Sequence, residues 1–497
     1  MKHSQNDDSL GKYALLIISI SLATFMASLD GTIVNIALPT ISESFNISSS
    51  TVSWVSTIYL LVMAGCVLIF GKISDIIGFK KIFLSGFVVF TLGSFLSGFL
   101  PEALNSFYML VGSRVIQAIG GAMIASIGPA MIAAFIPMSF KGKAMGIIMT
   151  IAALGMALGP TLGGFLTQYM SWHWIFFINI PVGIIAFMLG AKVIPATPSR
   201  GDLSGFDKGG AALIFVGLAA LLFAVSEANA LGWTSLPIAG SIVIATISLG
   251  YFIIHELRSP DPILDLTLFT KRNFLLANLI MSLIFFCFAG INYLLPFYLE
   301  YVQKFDTSSA GLILTALSVA MMIAGILAGV IYNKTGGRIL CIAAAGALTI
   351  GFFLLTNLNA ETGIGFLVLC LTIIGFGMGL IVAPLSNIVM NSVSRKHQGM
   401  VSSLTSLERF APMTIGIAIF NLIFIQGMKA IIKNHDITRD APATIKMAVL
   451  SAGFDLAFFV AFLIAIVILI LTILVRQEIH PDYADENVHE ETAIEMV

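Results

Sequence analysis

The 497-residue chain reads as an all-α integral membrane protein with fourteen transmembrane helices, and three observations lead there. Its residues are 58% hydrophobic and only 10% charged, with a mean hydropathy of +1.00, whereas soluble domains are about a quarter charged. Apolar stretches of about 20 residues, the length that crosses a bilayer, recur fourteen times. Basic residues also alternate between the two ends of those stretches.

The stretches run 13–40, 51–71, 81–100, 106–136, 144–168, 174–194, 209–229, 236–255, 273–300, 310–332, 339–356, 364–391, 400–426 and 450–475. An even number places both termini on one side. Loops on that side carry eighteen of the 25 Lys and Arg, Lys72, Lys80 and Lys81 among them. The other side carries five, of which Lys429, Lys433, Arg439 and Lys446 share the loop 427–449. Arg114 and Arg409 lie inside spans. Lys and Arg concentrate in cytoplasmic loops, so both termini are expected in the cytoplasm and the chain in the inner or plasma membrane.

Several functions are excluded. No GxxxxGK[ST] phosphate loop is present, so gradients rather than ATP must drive any transport. No basic patch with interleaved aromatics suggests nucleic acid. Cys66, Cys287, Cys341 and Cys370 fall in apolar runs and read as buried thiols. No metal site, resident cofactor or enzymatic activity is expected.

A weak internal repeat organises the spans. Shifting GKISDIIGFKK (71–81) by 258 residues onto GVIYNKTGGR (329–338) aligns Gly71 with Gly329, Asp75 with Asn333, Gly78 with Gly336 and Lys80 with Arg338. Gly128-Pro129 likewise answers Ala383-Pro384, and Gly159-Pro160 answers Ala411-Pro412. Related halves are usual in secondary transporters. The expected plan is 6+2+6: a cytoplasmic N-terminus (1–12), a six-helix half (13–195), two inserted helices with their loops (196–272), a second half (273–476) and an acidic cytoplasmic tail (477–497).

Two motifs suggest moving parts. In GKISDIIGFKK, Gly71 and Gly78 permit close backbone approach, while Asp75, Lys80 and Lys81 supply a charge network that latches one state. The alternative is a solvated turn obeying the charge bias. In GMALGPTLGG (155–164), Gly155, Gly159, Gly163 and Gly164 have the spacing of tightly packed membrane helices. Pro160 bends the helix by freeing backbone groups. This is ordinary helix packing, placed at the seam between halves.

The intramembrane charges are the functional candidates, because ionisable groups in a bilayer are costly. Asp30 lies far along the first span, in SLDGTIVNIALPT (28–40). Arg114, in GSRVIQAIGG (112–121), lies roughly 10 Å into the fourth from its outer end. The two reach similar depth and are expected to pair; the alternative is an arginine snorkelling to the interface. Glu408 lies roughly 14 Å into the thirteenth span, as an exchange site or as half of a structural ion pair. Its neighbour Arg409 points about 100° away. Asn35, Gln117, Tyr293 and Arg409 are weaker candidates for a cavity lining. Glu227, Glu256, Glu300 and Asp455 lie near span ends and are expected in solvent.

Taken in order, these residues resemble the major facilitator superfamily, in particular its fourteen-helix drug:proton antiporter branch of the EmrB/QacA type. LDGTIVNIALP (29–39) resembles that branch's first-helix motif. GKISDIIGFKK is similar to the superfamily's cytoplasmic loop, with Ile76 and Phe79 where basic residues are common. Arg114, Gln117, Gly120 and Gly121 resemble a helix-4 motif tied to proton coupling, and GMALGPTLGG resembles the antiporter motif. WHWIFFINIPVG (172–183) resembles the entry to helix 6, with His173 where an arginine is usual. Glu408 matches an acid implicated in substrate or proton binding. The resemblance implies proton-driven efflux of lipophilic, cationic compounds by alternating access, with Asp30, Arg114 and Glu408 as coupling residues. The implied partners are small molecules, protons and the bilayer, with the monomer as the working unit; a periplasmic adaptor is left open. Alternatives are a lipid flippase or exporter, and an uptake symporter, against which the helix-5 motif argues.

Overall fold

A chain in lipid must satisfy its own backbone polar groups, and an α-helix does this within one segment. The computed structural model describes residues 13–136, 138–195, 207–259, 262–359, 361–393, 398–434 and 442–476, and among them the only regular structure is helical. Its fourteen long helices are α1 (Ala14–Phe45), α2 (Trp54–Ile77), α3 (Phe79–Ala103), α4 (Phe107–Phe135), α5 (Met138–Tyr169), α6 (Asn179–Val193), α7 (Lys208–Leu231), α8 (Leu236–Glu256), α9 (Arg272–Phe297), α10 (Thr307–Thr335), α11 (Gly337–Leu355), α12 (Ile364–Asn391), α13 (Gln398–Asn434) and α14 (Ala443–Leu474). Thirteen, α6 being counted together with the short helical turn from Trp174 that leads into it, give a described stretch long and apolar enough to cross a membrane; the other, α5, is 32 residues long. The expectations placed on residues 1–12, the tail 477–497 and the Asp75 side chain lie outside the described residues.

Helices α1 to α6 pack against one another, as do α9 to α14. The pairings correspond: α3 lies on α4 as α11 on α12, α2 on α4 as α10 on α12, α1 on α5 as α9 on α13, and α3 on α6 as α11 on α14. The two groups meet mainly where α5 lies on α10 and α2 on α13. Helices α7 and α8 pair with each other, and α7 also touches α2 and α13. There Phe215 of α7 covers Gly65 of α2, and Trp54 Nε1 donates to Glu227 Oε1 at 2.5 Å.

Two glycines close the corresponding turns. Gly78, between α2 and α3, has φ 97°, and Gly336, between α10 and α11, has φ 76°. Such φ values strain any residue bearing a Cβ. At each, the glycine N–H caps the preceding helix by donating to Ser74 O or Tyr332 O.

Helix α5 is wedged between α1 and α10 by its small residues. A Cβ at Gly155 would meet Phe25 O at 2.7 Å, and one at Gly163 would meet Ile33 O at 2.7 Å, both on α1. Thr32 fills the space over Gly159. On the opposite face, a Cβ at Gly164 would meet Thr307 O at 2.6 Å, and one at Gly311 of α10 would clash with the Pro160 carbonyl. Thr161 and Thr315 hydrogen-bond across the same contact.

One expectation is corrected. Residues 427–449 do not form a long loop: α13 continues to Asn434 and α14 begins at Ala443. Close packing sustains the pair, with Gly427 against Ala452 O and Gly453 and Phe424 4.6 Å from Phe454 between ring centroids. The apolar run from Leu456 onward is alone about 30 Å long, enough for the hydrocarbon core. Asp455, just before it, is exposed at the helix surface.

Candidate functional site

Asp30 becomes buried because α1 lies against α4, α5 and α6. A buried carboxylate needs partners for both oxygens, and neighbouring helices supply them. Arg114 Nη1 of α4 donates to Asp30 Oδ2 at 2.8 Å. Gln117 Nε2, one turn along α4, donates to Oδ1 at 2.8 Å, and Asn179 Nδ2 of α6 donates to Oδ1 at 3.1 Å. Gln117 Nε2 also donates to Ser94 Oγ of α3 at 2.7 Å, and its Oε1 accepts from Arg114 Nη1. Arg114 Nε reaches the Val55 carbonyl of α2 at 3.2 Å, while its guanidinium stacks 4.0 Å from the Tyr59 ring centroid. Asp30, Ser94, Arg114, Gln117 and Asn179 are all shut off from solvent. One ion pair thus ties together five of the first six helices, a charge-assisted network of the strong kind.

Ser94, Asn179 and Tyr59 were not singled out from the sequence. Asn179 had a readable signal, being the lone amide in FINIPVG; the other two had none, since Ser and Tyr are unremarkable in apolar helices. Of the weaker cavity candidates, Asn35 accepts from Ser56 Oγ at 2.9 Å and joins α1 to α2. Tyr293 of α9 donates to Ser49 O at 2.6 Å, bridging the two helix groups. Both are buried and committed to these bonds.

Glu408 differs from Asp30. It is 7% exposed, and neither carboxylate oxygen has a hydrogen-bond partner. Among the described residues no charged side chain reaches it. Arg409 points elsewhere, as adjacent helical residues must: its guanidinium lies 3.8 Å from Met156 Sδ of α5 and 5.9 Å from the Phe285 ring of α9.

The other acids near span ends are not all solvated. Glu227 is partly buried under Trp54. Glu256 is buried and accepts from Leu264 N at 3.0 Å, and Glu300 is partly buried. Residues of other segments cover Glu227 and Glu256, Trp54 of α2 the first and the Leu264 backbone the second, which hydropathy along single helices does not register. His173, in the turn before α6, stacks on Trp172 at 3.6 Å. Burial pushes its imidazole below the ordinary histidine value, with Glu102 acting against the shift, so at neutral pH it does not replace an arginine's charge. The GKISDIIGFKK segment is not a loop but the end of α2 and the start of α3 joined at Gly78; Gly71 and Gly78 are buried, Lys80 is half-buried and Lys81 exposed. The four cysteines are free, three buried and Cys66 partly so. No metal-ligating cluster occurs among the described residues.

Two helical groups around buried charges define a polytopic membrane transport protein. Residues 20–417 match the model of the Major Facilitator Superfamily, and the chain belongs to that superfamily as one of its transporters. It is 33% identical to the riboflavin transporter RibZ of Clostridioides difficile (strain 630), over 84% of this chain and 89% of that protein. It is 31% identical to the multidrug transporter protein MdtP of Bacillus subtilis (strain 168), over 83% and 75%. With the multidrug resistance protein Stp of Mycobacterium tuberculosis (strain ATCC 25618 / H37Rv), identity is 30% over 88% and 80%. The crystal structure of a D-xylose-proton symporter overlays with TM-score 0.58 at 15% identity, over 90% of this chain and 97% of that one; this likeness concerns the fold alone.

Proposed function

We propose that the chain is a proton-coupled antiporter that exports lipophilic, cationic compounds by alternating access, using the proton gradient and no resident cofactor. In this reading it works as a monomer in the cell membrane, with both termini cytoplasmic and the 6+2+6 plan. The plan draws support from the correspondence of helix contacts on adding eight to each helix number and from the paired turns at Gly78 and Gly336.

The observation that carries the mechanism is the contrast between the two acids. Asp30 has every oxygen occupied, whereas both oxygens of Glu408 lack partners. An unpartnered buried carboxylate is satisfied by a bound proton or by a cationic cargo, and the two exclude each other. Such exclusion is what exchange requires: by linkage, each ligand weakens the other equally. Glu408 is therefore the exchange site, with Asp30 and Arg114 as the fixed ion pair of the first half. The multidrug relatives favour efflux. The riboflavin relative favours a second reading, in which the cargo is a flat polar aromatic compound.

The test is pH-gradient-driven ethidium movement in proteoliposomes. Glu408→Gln is expected to abolish gradient-driven accumulation, with an unchanged melting temperature because no native hydrogen bond is lost. Accumulation that persists when Asp30→Asn and Glu408→Gln are combined overturns the mechanism. Movement of cargo with the proton, rather than against it, identifies a symporter instead.

A further inference from the structure

Arg409 is a second intramembrane charge without a counter-charge. It lies one residue from Glu408, yet no carboxylate among the described residues pairs with it, and its Nε donor is unpartnered. Its surroundings come from both helix groups. Met156 of α5 touches one end of the guanidinium at 3.8 Å. Phe285 of α9 and Phe410 present rings at 5.9 and 5.6 Å. Arg114 shows what this superfamily member does with an arginine it uses structurally: it pairs the charge, fills the donors and excludes solvent. Among the described residues Arg409 lacks the counter-charge and leaves its Nε unpartnered, with Nη2 reaching only the Met156 thioether, although an arginine without a counter-charge in a bilayer costs several kcal/mol. A group kept at that cost between the moving halves needs a ligand, and guanidinium donors in a fork fit planar oxyanions.

We propose that Arg409 is an anion-recognising subsite, and that the cargo carries an acidic oxygen group (a carboxylate, sulfonate or enolate) on an aromatic body. The rings of Phe285 and Phe410 and the Met156 thioether hold that body. The proposal rests on the transport reading above and extends its cargo from a simple cation to an aromatic amphiphile: a cationic end faces Glu408 and an acidic end faces Arg409.

The experiment measures equilibrium binding of radiolabelled 2-naphthoate and 2-naphthamide to the full-length protein in nanodiscs. The probes share a ring and differ in charge. Wild type is expected to bind the naphthoate about tenfold more tightly, equivalent to ~1.4 kcal/mol. Arg409→Gln is expected to remove the preference without changing naphthamide binding, and Arg409→Lys to retain part of it. Equal binding of the two probes by wild type, no measurable binding of the naphthoate, or a preference that survives Arg409→Gln overturns the subsite. Binding is read without a gradient, so a failure of proton coupling leaves this result standing. Gradient-driven ethidium transport likewise survives if only the anion preference fails.

Discussion

At the scale of single residues, the first half is organised by one ion pair whose partners are 84 positions apart in the chain. Breaking a buried pair costs more than the pair contributes, because the survivor is left as an uncompensated charge. Asp30→Asn is thus expected to destabilise the folded protein by about 3–5 kcal/mol, read as thermal unfolding in detergent. Arg114→Gln should cost a similar amount, and the double variant less than the two together; strict additivity in that cycle would show that the charges do not interact. The pairing was legible because both residues are rare charges in apolar spans and their depths match when each is counted from its own end. The amide and hydroxyl donors around them were not legible, since nothing in a helical pattern marks which Ser or Asn turns towards a carboxylate on another helix. The opposite case is Glu408, whose depth could be read but whose lack of partners could not.

At the scale of elements, α5 shows how a glycine pattern divides its work. Its spacing announced close packing, but not which helix each glycine meets. Gly155, Gly159 and Gly163 face α1, within one group of helices, while Gly164 faces α10, in the other. Substitutions should separate accordingly. Gly159→Val forces a side chain into Thr32 and is expected to lower thermal stability by several kcal/mol, in line with overpacking of a close contact. Gly311→Ala presses on the Pro160 carbonyl across the contact between the two helix groups. It is expected to leave the fold intact and shift spin-label distances between α5 and α10. A reversed outcome, with Gly159→Val benign and Gly311→Ala unfolding the protein, would refute this division. The facing ends of α13 and α14 were misread as a loop for a related reason: polar residues between two apolar runs look like a connector whether or not the helices continue through them.

At the scale of the whole molecule, the two six-helix groups hold each other directly through α5 with α10 and α2 with α13, and α7 only adds to the flank of the second contact. Replacing residues 196–270 with a flexible linker is therefore expected to leave a folded twelve-helix protein. It should be monodisperse by size exclusion and of unchanged helical content per residue by circular dichroism; aggregation of that variant would show that the inserted pair is part of the core. The number and order of helices could be read from hydropathy and charge, while the placement of α7 could not, because lipid-facing and protein-facing apolar surfaces have the same composition. That placement has a further effect. The contacts between halves are twofold in character, but α7 lies over one of them, with Phe215 set on Gly65 and Glu227 held by Trp54, and neither α7 nor α8 packs appreciably on α5 or α10. The two contacts between halves are consequently unequal, one carrying an added helix on its flank and the other none.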